Sequence, residues 1–219
     1  MQQAATVGAA GRIRLMAEFV ALFLIAPVAM AVLLPPSAMF PALFAVTAIG
    51  LGLLAVTPGF RWHQLMRGPV IWREVALFAV VVAAVSGAVV ALTAPGAAFI
   101  LVRQNPGLLA MILLLYPVLS ALPQELVFRP LFFRRYGSIL PGGGAGLVVN
   151  AAVFALAHLL YWNWIVAAMT FAGGLVFARA YQVQQSFPQA VVLHAVAGNI
   201  VFAFGLGIFF YTGNIQRPF

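Results

Sequence analysis

Three segments in the second half of the chain place ionisable side chains in otherwise apolar sequence. PQELVFRP (residues 123–130) contains Glu125 and Arg129, FALAH ends at His158, and LHAVAGN contains His194. A carboxylate and two imidazoles are the groups needed to activate a water molecule, because one group takes the proton while another positions the water or stabilises an oxyanion. The same three groups are a plausible zinc site. Their spacing leaves metal-free and zinc-assisted hydrolysis both open.

The first segment has helical spacing. Glu125 and Arg129 are four residues apart, so they share one helix face and can pair. Gln124 is rotated by about 100° and offers its amide to a different neighbour. Pro123 and Pro130 bracket the stretch and favour local kinking, which opens space for water. A purely structural ion pair between helices explains Glu125 and Arg129 equally well.

The two histidine segments have helical spacing of their own. Phe154 and His158 are four residues apart, so the ring can pack against the imidazole. His194 and Gly198 also share a face, and Gly198 permits close backbone approach. Asn199 lies about 140° around the helix from His194. Each histidine alone is readily explained as a satisfied core group, and it is the three sites together that favour catalysis.

The elements that carry these residues are expected to be membrane spans. The chain of 219 residues is 65% hydrophobic and 6% charged, with a mean hydropathy of +1.11, whereas soluble domains carry about a quarter charged residues. Repeated apolar runs of about 20 residues predict an all-α, polytopic transmembrane helical bundle with the catalytic core in the last four spans. We expect seven spans, at about 15–34, 38–57, 74–93, 108–133, 146–161, 164–182 and 188–210.

The charge pattern predicts topology rather than nucleic-acid binding. The net charge is +8, and all eleven basic residues are arginines. They cluster between apolar runs, and no basic face with interleaved aromatics is present. The positive-inside rule places the N-terminus inside and the C-terminus outside. We expect an integral protein of a bacterial inner (cytoplasmic) membrane, with the lipid bilayer as a partner and no nucleic acid.

Taken in order, the three segments resemble the motifs of the CPBP family, the CAAX-processing and bacteriocin-processing intramembrane endopeptidases. The first motif is present at 124–129, the second at 154–158, and the third at 194–198 with Asn199 directly after it. The resemblance covers about residues 108–210. Downstream stretches such as GGLVFA and GLGIFFY also look like a subgroup linked to bacterial C-terminal sorting systems.

Two positions depart from the family pattern. Gln124 stands where the family has the Glu that is usually assigned as the base for water, and a glutamine cannot act as a base. Gly198 stands where the family has Asn, with Asn199 one residue late. The resemblance therefore implies either that Glu125 has become the base or that the chain has lost activity.

The resemblance implies an intramembrane glutamic-type peptidase that cleaves membrane-associated peptides or the C-terminal tails of proteins. Glu125 would be the general base, His158 would share the water, and His194 would orient the substrate carbonyl or stabilise the oxyanion. Arg129 would hold Glu125 or a substrate carboxylate. The supporting residues would be Gln124, Arg129, Phe154, Gly198 and Asn199.

Other interpretations stay open at this level. No cofactor is expected, with zinc at Glu125, His158 and His194 as the alternative. The chain is otherwise a non-catalytic membrane scaffold or immunity protein, or a proton-coupled transporter that uses Glu125. We divide it into N-terminal spans with an interfacial segment, residues 1–107, and a CPBP-like intramembrane core, residues 108–219.

Overall fold

The computed structural model describes residues 8–211, 213, 215 and 217, and this part of the chain is helical without strands. Seven of the helices found there are long and apolar enough to cross a membrane. The expected all-α bundle of seven spans is therefore confirmed. The spans are Ala9–Leu33 (span 1), Pro36–Ala55 (span 2), Trp72–Thr93 (span 3), Pro106–Arg135 (span 4), Gly143–Tyr161 (span 5), Trp164–Gln182 (span 6) and Phe187–Phe204 (span 7).

The outward faces of the spans carry large apolar side chains. Leu77 and Leu92 on span 3 are 66% and 85% exposed, and Leu114 on span 4 is 75% exposed. Such a surface is unfavourable in water and suited to the hydrocarbon of a bilayer. The chain is an integral membrane protein.

Short helices connect the spans. They are the 3₁₀ helices Trp62–Met66 and Pro95–Ala97, the α-helix Ile100–Gln104, and the α-helix Gly207–Phe210 after span 7. The seventh span was expected to continue to residue 210, but it ends at Phe204. Gly205 adopts a φ of +98°, in the left-handed region where only glycine is free of strain, and this turn stops the helix.

Proline shapes the winding of span 4. Because Pro123 and Pro130 lack an N–H group, the i to i−4 hydrogen bonds that those positions would donate are missing. The structure has π-helical turns before Pro123 and around Pro130. The span runs through α-helix Pro106–Tyr116, π-helix Pro117–Ala121, α-helix Leu122–Leu126 and π-helix Val127–Arg135.

The remaining spans are mostly α-helical. Span 1 also contains a π-helical turn, Ala21–Ile25, between α-helices Ala9–Val20 and Ala26–Leu33. Span 2 is the α-helix Met39–Ala55 after a 3₁₀ turn, Pro36–Ala38, and span 5 is the α-helix Gly143–Ala157 followed by the 3₁₀ turn Leu159–Tyr161. Spans 3, 6 and 7 are α-helical throughout.

Span 4 is central, since spans 1, 2, 5, 6 and 7 all contact it. Span 5 packs along span 6, and a Cβ added at Gly174 would meet the Cα of Ala151 at 3.1 Å. A row of edge-to-face aromatic contacts links span 1 to this core, with centroid distances of 5.6 Å for Phe23–Phe128 and 5.1 Å for Phe128–Phe154. These contacts fix the faces of spans 4 and 5 that carry the ionisable residues.

We predict that the contact between spans 2 and 4 distinguishes two glycines on one helix. A Cβ at Gly50 would lie 3.2 Å from Leu131 and 3.3 Å from Val127, whereas a Cβ at Gly52 would meet nothing within 4 Å. Gly50→Leu should therefore destabilise the bundle by about 1–3 kcal/mol through overpacking. Gly52→Leu, which faces outward, is the matched control and should not. Thermal unfolding of the purified variants in detergent measures both, and equal midpoints would contradict this packing.

Candidate active site

A buried ion pair lies at the centre of the bundle. Glu125 and Arg129 are both 0% exposed, and the Arg129 Nε donates to Glu125 Oε2 at 2.7 Å while Nη2 donates to Oε1 at 3.2 Å. This two-point contact is the strong geometry for a guanidinium and a carboxylate. Removing two charges from water costs several kcal/mol per ion unless further hydrogen bonds satisfy both groups. The stability of the pair therefore depends on the other hydrogen-bond partners of Glu125 and Arg129.

Asn150 on span 5 supplies one of these partners. It is 0% exposed, its Oδ1 accepts a hydrogen bond from Nη1 of Arg129, and its Nδ2 donates to the carbonyl oxygen of Phe128 at 2.7 Å. The guanidinium carbon also lies 5.1 Å from the ring centroid of Phe154. The pair is thus fixed between spans 4 and 5 within an aromatic enclosure.

His194 on span 7 is the remaining hydrogen-bond partner of the Glu125 carboxylate. Its Nδ1 lies 2.9 Å from Glu125 Oε1, so this nitrogen donates to the carboxylate. Its Nε2 lies 3.0 Å from the hydroxyl of Tyr116. The ring is stacked on Phe177, with centroids 4.9 Å apart and an interplanar angle of 9°. Both ring nitrogens and one face of His194 are therefore held.

His158 on span 5 is held in a different way. Its Nδ1 lies 2.8 Å from the carbonyl oxygen of Phe154, one helical turn earlier. A carbonyl oxygen can only accept, so Nδ1 carries the proton and Nε2 carries the lone pair. The ring packs edge to face on Phe154 at 4.8 Å, as the spacing of FALAH predicts. Phe154 also contacts His194 at 5.5 Å, so one phenyl ring contacts both imidazoles.

Both histidines line a cavity of about 590 Å³ between spans 2, 3, 4, 5, 6 and 7. Most of its wall is aliphatic or aromatic. Glu125 and Arg129 are not part of this wall, because their polar atoms face each other and His194. The polar side chains that reach the wall include Tyr116, Ser120, Gln124, His158, Tyr161 and His194.

Most of the sequence-predicted residues lie together at this site, and one of them, Asn199, does not. The structure brings Glu125, Arg129 and His194 into direct contact, and it places His158 on the same cavity as His194. Gln124 lines the cavity beside them, where its Nε2 donates to Ser120 Oγ at 3.0 Å. Asn199 does not join the site, because its Nδ2 donates to the backbone carbonyl of Leu113 at 3.2 Å. That Glu125 contacts the reacting water stays a prediction; in the structure its two oxygens are bonded to Arg129 and His194, and the residue does not line the cavity.

The donor set does not fit the zinc alternative in this arrangement. Zinc needs carboxylate and imidazole lone pairs that are free to bind it, but both oxygens of Glu125 accept hydrogen bonds from Arg129, and Oε1 also accepts one from His194 Nδ1. Among the described residues, no group of three or more His, Cys, Asp or Glu side chains is suitably placed for a metal.

Two residues of the site were missed by sequence reasoning. Asn150 precedes Phe154 and His158 at intervals of four, and a buried amide in an apolar span was a signal that could have found it. Tyr116 had no such signal, since a tyrosine at a span is ordinarily interfacial. Its contact with His194 crosses 78 residues of sequence and exists only in the folded bundle.

We predict that Arg129 is required for stability because it neutralises Glu125. Arg129→Leu should cost about 3–5 kcal/mol, since it leaves a buried carboxylate without its cation. The double variant Glu125→Leu/Arg129→Leu should lose less, because it leaves no unpaired charge. Arg134→Leu, at an exposed position outside this network, is the control. Thermal unfolding in detergent compares the three, and a double variant less stable than Arg129→Leu would contradict the pairing argument.

Comparison with known proteins finds a match in the part of the chain that carries this site. Residues 104–200 match the family model described as Rce1-like, type II CAAX prenyl endopeptidase Rce1-like. The matched region contains Glu125, Arg129, Asn150, His158 and His194, while the parts of the cavity wall on spans 2 and 3 lie outside it. Neither the curated proteins nor the solved structures yield a match. The resemblance to the CPBP family is confirmed over residues 104–200, which are similar to Rce1-like type II CAAX prenyl endopeptidases.

Proposed function

We propose that the protein is an intramembrane endopeptidase in which His158 takes the proton of the attacking water and Glu125 positions His194. The observation that carries this proposal is the shared cavity wall. Two imidazoles lie on it, and each has its Nδ1 bonded to a protein acceptor. That arrangement fixes the tautomer or the orientation of both rings before substrate arrives, which is the general requirement for acid–base catalysis.

His158 is the better placed base. Its Nδ1 proton is committed to Phe154, so the lone pair of Nε2 is available to a water in the cavity. The water oxygen attacks the carbonyl carbon of the peptide bond while its proton passes to Nε2, and the carbonyl electron pair moves onto oxygen. The proton then passes to the amide nitrogen as the C–N bond breaks. The products are a carboxyl group and an amine.

Glu125 fits a positioning role better than the role of base. A base must reach the proton that it abstracts, but both oxygens of Glu125 accept hydrogen bonds from Arg129 and His194. A buried carboxylate that orients an imidazole is an established catalytic arrangement. Arg129 in turn is fully buried and paired, so it serves Glu125 rather than a substrate carboxylate.

The cavity supports a membrane-associated peptide as substrate. Its volume falls in the range of about 300–1,000 Å³ that is typical of ligand sites, and its wall is mostly apolar. A peptide segment drawn from the bilayer, or the tail of a membrane-attached protein, matches such a wall. We further propose a bacterial cytoplasmic membrane with the N-terminus in the cytosol, on the arginine pattern.

A non-catalytic peptide-binding protein is the second candidate. Gln124 favours it, because an amide lines the cavity at the position where the family has its water-activating glutamate. The same cavity would then hold a peptide without cleaving it. The two candidates share the binding site and differ only in whether the peptide bond breaks.

We predict that His158→Gln lowers peptide cleavage by at least about 10²-fold, because it removes the proposed base while keeping a polar side chain. The assay uses the purified full-length protein in liposomes with a library of internally quenched peptides, each carrying an apolar membrane anchor. Glu125→Gln should also lower cleavage, through loss of His194 orientation.

His63→Gln is the matched control, because His63 is exposed and pairs with Arg67 away from the cavity. Full cleavage by the His158→Gln variant would contradict the role of His158. Binding of the anchored peptides without cleavage by the unmodified protein would support the second candidate.

The proposed orientation gives a separate prediction. The chain has no cysteine, so single cysteines can be introduced without background. In intact cells a membrane-impermeant maleimide should label an Arg103→Cys variant and spare an Arg67→Cys variant, since both positions are exposed but lie in loops on opposite sides of span 3. The reverse labelling would invert the proposed topology.

A further inference from the structure

The cleavage mechanism proposed above does not use the contact between Tyr116 and His194. Tyr116 ends the first α-helix of span 4 and lines the cavity, with its hydroxyl 3.0 Å from His194 Nε2. Its ring also contacts Phe202 edge to face at 5.9 Å. The phenol is therefore fixed against span 7 by a hydrogen bond at one end and by aromatic packing along its side.

Gly198 makes this position possible. It lies one turn after His194 on the same face, and a Cβ added at residue 198 would collide with Cε1, Cζ and Oη of Tyr116. No other residue type leaves that volume free. The absence of a side chain at 198 and the presence of the phenol are therefore one structural feature, in which a residue of span 4 occupies the space that a span 7 side chain would fill.

We propose that the Tyr116 hydroxyl donates a hydrogen bond to the carbonyl oxygen of the scissile peptide and stabilises the oxyanion that forms there. The proposal rests on the proposed peptidase function and deepens it. A tyrosine hydroxyl has one donor and two acceptor sites, so rotation about its C–O bond can turn the proton from His194 toward the cavity. No proton leaves Tyr116, and the water proton follows the route through His158 described above.

The position suits this role on two counts. The hydroxyl is a neutral donor in an apolar cavity, where a fixed dipole stabilises a developing negative charge far more than it does in water. The row Arg129–Glu125–His194 holds the ring nitrogen against which the hydroxyl rests. This row therefore fixes the position of the hydroxyl oxygen through contacts that extend to the buried ion pair, and only the hydroxyl proton has to turn toward the substrate carbonyl.

The test begins with Tyr116→Phe, which removes one oxygen and keeps the ring that packs against Gly198 and Phe202. In the liposome assay with anchored quenched peptides, kcat should fall by about 10²–10³-fold with little change in KM, as for loss of one oxyanion donor. Tyr181→Phe is the control, because the Tyr181 hydroxyl bonds Arg134 and lies outside the cavity wall. Unchanged kcat in Tyr116→Phe would overturn the inference while leaving the peptidase proposal intact.

A compensating pair of variants separates chemistry from packing. Gly198→Asn alone should impair folding or activity, because its side chain meets the phenol. In Tyr116→Ala/Gly198→Asn, the vacated space admits an amide that can donate to the same oxyanion, and part of the lost kcat should return relative to Tyr116→Ala. Equal or lower kcat in the double variant would overturn the assignment of a replaceable donor.

A spectroscopic readout is independent of turnover. The chain has three histidines, so ¹⁵N-histidine spectra of the full-length protein in detergent resolve few resonances. Tyr116→Phe should shift the Nε2 resonance of His194 and leave those of His63 and His158 in place. No shift would overturn the hydrogen bond and the inference with it. If the shift occurs but the unmodified protein cleaves no peptide, the peptidase proposal fails, and the catalytic role of Tyr116 fails with it.

Discussion

The structure depends on a carboxylate and a guanidinium that are both removed from solvent in the middle of a membrane bundle. Such a pair is stable only when every polar atom has a partner. Glu125 meets this condition through Arg129 and His194, and Arg129 meets it through Glu125 and Asn150. The pair thereby ties spans 4, 5 and 7 together, and both of its side chains are fully buried.

The same constraint organises the cavity. Because the oxygens of Glu125 are bonded to Arg129 and His194, the carboxylate does not line the cavity, whereas His194, His158 and Tyr116 do. In the proposed mechanism, Glu125 orients His194 and does not reach the substrate. This division explains how a chain with glutamine at position 124 keeps a polar, preoriented cavity wall, since the orientation of His194 depends on residue 125 and not on residue 124.

The winding of span 4 helps to orient the residues of this site. Two π-helical segments flank the short α-helix Leu122–Leu126 that carries Gln124 and Glu125. A change of winding rotates the residues on either side of it relative to a regular helix, and π-helical turns are frequent at functional sites. The change of winding in span 4 allows Tyr116 to face span 7 and the cavity while Glu125 faces Arg129 and His194. Prolines at 117, 123 and 130 make regular winding unfavourable there.

Much of this protein was predictable from local pattern. Apolar run lengths predicted the seven spans, because a bilayer requires about 20 apolar residues for each helix. The i, i+4 spacing predicted the Glu125–Arg129 pair and the contact of Phe154 with His158. The order of the motifs predicted the similarity to the Rce1-like family model over residues 104–200. Local pattern does not show whether Glu125 faces the cavity or faces Arg129 and His194. The sequence-based expectation therefore placed the carboxylate in contact with water.

The tertiary structure alone decided which chemistry each residue can perform. The hydrogen bond from His194 to Glu125 joins residues 69 apart, and the contact of Tyr116 with His194 joins residues 78 apart. Such pairings depend on the rotation and depth of separate helices, which are set by packing and by the satisfaction of buried polar groups rather than by periodicity within one helix. The sequence by itself determined which ionisable groups are inside the membrane; the packing of the spans determined which of them face the cavity.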